Sequence, residues 1–148
     1  MNRKSQDPEI YELVLKGYSY ISVKSKFIEV SNNLLENHIV NKFINNIQNA
    51  NLEENKKRIR NIVLTTSIIA NLSGSDFINQ DVLMELKVLD YFTFLFENNL
   101  NDLVNRNILI TIGNLTIGGN EKILKQIVTS KIIPKLMTLA FSFALEVS

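Results

Sequence analysis

The sequence predicts an all-α fold built as a stack of helical repeat units. Two observations carry this expectation. Two segments, residues 61–72 and 103–117, are apolar nearly all the way round a helical wheel, and a helix of that kind must be sandwiched between neighbours. Landmarks within the chain also recur at a constant separation. Asn71 and Asn114 sit in matching Asn-Leu contexts 43 residues apart, and Val88-Leu89-Asp90 matches Ile132-Ile133-Pro134 at 44. A fixed period of a few tens of residues is the signature of a solenoid.

Composition narrows the function classes. The 148 residues fit one domain, with 45% apolar residues to form a continuous core and a formal net charge of +1. A near-neutral chain is a poor match for a broad phosphate-neutralising surface, so no nucleic-acid partner is expected. The absence of Cys removes disulfides, thiol nucleophiles and Cys-based zinc sites. His38 stands alone and cannot form a multi-histidine metal site. No paired carboxylates, nucleophile–base pair or phosphate loop can be defended, since Gly118-Gly119 follows a helix whereas phosphate motifs follow a strand. No enzyme activity and no cofactor are predicted. The N-terminus is polar, and the uncharged apolar runs fall short of the roughly 20 residues needed to cross a bilayer.

In chain order, Asp7-Pro8-Glu9 is a helix start: a capping carboxylate, a proline at the first helical position and an acid at the positive end of the dipole. Gly17 inside that helix costs about 1 kcal/mol relative to Ala. Helical stretches over 24–35 and 38–47 follow, then a polar connection over 48–55. EENKKRIR (53–60) leads into the first all-round apolar helix, which Ser73-Gly74 ends, with Gly74 suited to the left-handed conformation. Ser75 or Asp76 caps a short helix over 77–86. The segment VLDYFTFLFE (88–97) has strand-like text, but the repeat register assigns it to a helix. A polar turn over 98–102 precedes the second apolar helix, Gly118-Gly119 breaks it, Asn120 caps another short helix, and Pro134 sits near the start of the last.

A three-helix unit of this length lies within the armadillo range of about 40–47 residues. The stretch IGNLTIGGNEKILKQIVTSKIIPKLMTL resembles an armadillo repeat, closely like those of the importin alpha family of nuclear-import adaptors; the likeness is strongest over 61–139. It implies a right-handed superhelical solenoid of about three repeats: a single array over 1–148 with approximate units 1–22 (partial), 23–74, 75–118 and 119–148 (partial). The first copy has lost the Asn landmark, which falls on Ile21 or Ser22.

By this resemblance the third helix of each unit lines a concave groove, where an Asn grips the backbone of an extended peptide and a Trp one turn earlier holds Lys stems. The asparagines match Asn71 and Asn114, and the Trp positions fall on Ser67 and Ile110. A carboxamide can both donate to and accept from an extended main chain. Without Trp the cation–π contribution of roughly 0.5–2 kcal/mol per site is lost. Arg106, one turn before Ile110, and Arg60 add like charge against a basic peptide. Tyr11, Tyr18 and Tyr20 are candidate groove aromatics, although packing tyrosines are commoner. Lys56 to Arg60 matches a nuclear-localisation pattern but is more often a solvated helix start.

The resemblance implies a protein-binding adaptor for nuclear import, in cytoplasm and nucleus, with a peptide or protein cargo and an importin-beta-like carrier if the full adaptor is longer. The alternative is a generic armadillo scaffold that docks a folded or acidic partner through Arg60, Arg106 and nearby apolar positions. The last unit lacks its long third helix, and Phe141, Phe143, Leu145 and Val147 are not a polar cap. An apolar edge is therefore expected there, open to self-association or to further units.

Overall fold

A computed structural model describes residues 8–22, 41–42, 45, 52–74, 80–98 and 101–147. Every regular element among them is an α-helix. In chain order these are α1 (Pro8–Ser22), α2 (Leu52–Lys57), α3 (Ile59–Ser73), α4 (Gln80–Glu85), α5 (Val88–Asn98), α6 (Asp102–Gly118), α7 (Glu121–Thr129) and α8 (Ile132–Val147). The strand-like text of 88–97 is helical, because Val88, Leu89, Phe92 and Leu95 fall on one buried face with Tyr91.

Local chemistry accounts for several boundaries. Asn101 is extended and accepts from the Leu103 backbone N–H at 2.7 Å, starting α6. Asn120 does the same for α7 by accepting from Ile123 N–H at 3.0 Å. Two expectations are corrected. Residues 52–55, read as polar connection, belong to α2, whose Glu53 and Glu54 sit at the positive end of the dipole and Lys56 and Lys57 at the negative end. Gly74 is not left-handed: it has φ −88°, and the one positive-φ residue among those described is Lys87 (φ 56°), between α4 and α5. What Gly74 supplies is space, since a Cβ there would lie 3.2 Å from the Asn114 carboxamide nitrogen.

The packing joins helices far apart in sequence. The largest helix contact is between α3 and α6, and α1 also packs on α3. Hydrogen bonds fix the direction. Asn107 Nδ2 donates to Val63 O at 3.2 Å and to Thr66 Oγ1 at 3.1 Å, and Asn114 Nδ2 donates to Ser73 Oγ at 3.1 Å. Moving forward along α6 moves forward along α3, so the two helices run parallel, at sequence separations of 41 to 44 residues that bracket the period read from the sequence. The second helices follow suit: α8 packs on α5, and the short α7 bridges α6 and α8.

One contiguous core results. Leu15 from α1, Ile62, Ile69 and Leu72 from α3, Tyr91 and Phe92 from α5, and Ile108 and Leu115 from α6 are fully buried, and Ile123 and Ile132 extend the core into α7 and α8. Threonines buried in the apolar helices return their hydroxyls to their own backbone: Thr65 donates to Asn61 O and Thr66 to Ile62 O, both at 2.9 Å. Large apolar side chains remain exposed on the last two helices, Val128 at 69% on α7 and Phe141 at 66% on α8. The side chains of Phe143, Leu145 and Val147 lie outside the described residues, as do Asp7, His38, the 75–79 cap and most of the 24–47 helical expectation.

Two measurements check this packing. Phe92→Ala should cost about 3–5 kcal/mol in urea unfolding and Leu72→Ala about 2–5, whereas exposed Val128→Ala should stay within about 0.5 kcal/mol. Glycines should split by space. Gly17 is exposed inside α1 with nothing within 4 Å of an added Cβ, so Gly17→Ala should stabilise by about 0.5–1 kcal/mol. At Gly119 an added Cβ would collide with Leu115 O and meet Ile123 Cγ2 at 2.9 Å, so Gly119→Ala should destabilise.

Candidate functional site

Parallel helices present matching stripes side by side. On α3, Arg60, Ser67 and Asn71 follow helical spacing along one outward strip, with Gly74 just past its end; on α6, Leu103, Arg106, Ile110 and Ile117 do the same. Because α1, α3 and α6 are successive neighbours, these strips form one continuous face. Ser67 and Asn71 are half-buried, Arg106 is exposed and Ile110 is 42% exposed. The residues expected from the sequence are thus brought onto neighbouring strips of two helices.

Asn114 stands at the seam between the strips, and part of its carboxamide is already committed. Its Nδ2 donates to Ser73 Oγ, which in turn donates to Ala70 O at 2.7 Å. Gln80 Nε2 closes the arrangement by donating to Asn114 O at 3.2 Å and to Ser73 O at 3.4 Å. Seven residues earlier Asn107 makes the second tie, to Val63 O and Thr66 Oγ1. Sequence reasoning did not single out Asn107. Its signal was the seven-residue spacing to Asn114, which puts both on one side of α6.

At the N-terminal ends of α3 and α6 the face deepens into an open hollow of about 560 Å³. Ile59, Val63, Leu64 and Leu103 give it apolar walls, with Tyr20 and Ser19 of α1 on one side and Asn101 on the other. Among the described residues that line it, Lys16 and Arg60 are the charged ones and none is a carboxylate. Arg60 Nε contacts Glu12 Oε1 at 3.0 Å, an ion pair in which the arginine side chain is 67% exposed. Such exposed pairs contribute at most about 1 kcal/mol and leave the guanidinium accessible. Of the candidate aromatics, Tyr20 reaches the hollow, Tyr18 packs against the core, and the Tyr11 side chain lies outside the described residues.

The basic run Lys56 to Arg60 is divided by a helix junction. Lys56 and Lys57 end α2, Arg58 is the turn, and Arg60 lies in α3. Lys56 pairs with Glu53 at 3.5 Å. A segment folded in this way is not the extended strand that a localisation signal presents to its receptor.

Among the described residues there is no group of three or more His, Asp or Glu side chains placed to hold a metal ion. No helix described is long and apolar enough to cross a membrane. The chain matches no family model, no curated protein and no solved structure.

The asparagine ties generate their own test. Asn107→Ala should destabilise by about 1–2 kcal/mol and Asn114→Ala by about 1 kcal/mol, since each leaves buried or half-buried partners short of a donor. A double-mutant cycle of Asn107→Ala with Thr66→Val, read by chemical denaturation, should return a coupling energy of about 0.5 kcal/mol or more. Strict additivity would mean that the tie contributes nothing.

Proposed function

We propose that this chain is a protein-binding adaptor of the armadillo type, which takes an extended peptide along the outward face of α3 and α6. The observation that carries the proposal is the parallel stacking of those helices at separations of 41 to 44 residues, the arrangement an armadillo unit of about 43 residues would adopt. Successive third helices then form a lined groove of the kind repeat proteins use for elongated ligands. Ser67, Asn71, Ile110, Arg106 and Asn114 are the groove residues of this reading.

Asn114 fits the role in a reduced form. With Nδ2 donating to Ser73, its Oδ1 and second N–H have no partner among the described residues and are left for a peptide main chain. The importin alpha resemblance supplies the setting: transport of cargo between cytoplasm and nucleus, with a basic peptide as ligand and a carrier of the importin-beta kind joined through a longer adaptor.

A second reading is favoured by charge. Lys16, Arg60 and Arg106 place one cation on each of the three neighbouring helices, and no carboxylate is among the described residues that line the hollow. A scaffold that docks an acidic partner, without any import role, accounts for these cations directly, because like charge disfavours a basic cargo.

Fluorescence anisotropy with labelled peptides separates the two. A bipartite basic peptide that binds, and loses about tenfold or more in affinity with Asn71→Ala plus Asn114→Ala, supports the import reading. Preference for an acidic peptide supports the scaffold. No binding of either class would remove the adaptor proposal.

A further inference from the structure

We propose that the hollow between α1, α3 and α6 is a docking site for an acidic peptide segment that inserts a bulky apolar side chain. The inference deepens the acidic-partner reading above and rests on it. Its volume, about 560 Å³, falls within the range of roughly 300–1,000 Å³ in which proteins hold discrete ligand groups.

The walls specify the chemistry of the occupant. Ile59, Val63, Leu64 and Leu103 offer carbon surface and no charge, so the inserted group is apolar. Leu103 is 53% exposed and Tyr20 75% exposed, and covering such side chains returns roughly 25 cal/mol per Å² of apolar area removed from water. Leu or Phe on the incoming segment would satisfy this surface, whereas a polar side chain would be desolvated without a partner.

The rim specifies the flanks. Arg60 uses Nε on Glu12, and its terminal amino groups have no partner among the described residues, leaving a fork that suits a second carboxylate. Lys16 is half-buried and lines the hollow, with no described acid on its ammonium. Arg106 lies one turn beyond Leu103 on the same strip of α6, so a segment leaving the hollow along that helix meets a third cation. Glu12 neutralises part of Arg60, and Asp102 is exposed and outside the lining; neither gives the hollow a negative wall. A peptide with carboxylates on both sides of a Leu or Phe therefore complements the site in shape and in sign. A basic segment meets three like charges, and a polynucleotide would find few phosphate contacts on a chain of net charge +1.

The test uses the full chain and labelled peptides of sequence EDLEFDE, EDSESDE and KRLKFRK in fluorescence anisotropy. EDLEFDE is expected to bind, to weaken about tenfold between about 50 and 300 mM salt, and to bind tighter than EDSESDE, which lacks the apolar insert. Arg60→Glu and Lys16→Glu should each weaken EDLEFDE by about tenfold, and Leu103→Ser by about threefold, while Lys125→Glu on α7 should leave it unchanged. Far-UV circular dichroism verifies folding, and if Arg60→Glu unfolds the chain, Lys16→Ala and Leu103→Ser decide. Equal or tighter binding of KRLKFRK, indifference to Lys16 and Arg60 substitutions, or displacement of EDLEFDE by a single-stranded oligonucleotide at similar concentration would overturn the site. The adaptor reading fails separately. If a bipartite basic peptide binds through Asn71 and Asn114 while EDLEFDE does not bind, the adaptor stands and this site falls. If EDLEFDE binds with the expected variant pattern and the basic peptide does not, the site stands and the import role falls.

Discussion

The parallel seating of α6 on α3 is the constraint on which the rest of this structure depends. Both helices are apolar around most of their circumference, and neither could persist alone in water. Apolar burial brings them together but is non-directional, so it does not choose the register. The choice falls to polar groups at the seam. Asn107 and Asn114 each find a partner on α3 only when the helices are aligned near one repeat of offset. A slip along the axis would leave carboxamides facing hydrocarbon, at a cost of about 1–3 kcal/mol for each unsatisfied group.

That alignment creates the candidate site. Parallel neighbours in register bring equivalent positions level with one another, so the outward strips of α3 and α6 form a shared face. The same geometry sets the helix starts of α3 and α6 at one end beside α1, where the hollow opens. Its walls combine Val63 and Leu64, whose other sides pack against the core, with Leu103, which is half outside, and with Lys16 and Arg60 from helices far apart in sequence. The Gly74 position has a related logic, since the backbone there must leave room for Asn114 to reach Ser73.

The cost of the seam lies in what Asn114 gives up. A carboxamide that reaches across to the next helix has fewer groups to offer a peptide. In the proposed adaptor reading, adhesion between α3 and α6 competes with grip on a ligand at the same residue, and the absence of Trp leaves Ile110 as an apolar neighbour that would contribute surface without reading charge. Under that reading specificity would rest on the cations at the end of the face, so the acidic and the basic proposals diverge at Lys16, Arg60 and Arg106.

Much of the architecture was legible in the sequence because it is encoded locally. The helices over 88–97 and 103–117, the cap at Asn120, the break at Gly118-Gly119 and the 43-residue period rest on side-chain periodicity, capping chemistry and spacing, all properties of short segments. The α2 helix was missed because its polar text has no apolar stripe to announce it and its stability comes from charge placement and a neighbour. Gly74 was misassigned because glycine permits a left-handed turn without requiring one, and here the space beside Asn114 is what matters. The partner of Asn114, the role of Asn107 and the hollow between three helices were decided only by tertiary structure. Hydrogen-bond partners and concavities depend on which atoms meet across elements tens of residues apart, and no local pattern records that meeting.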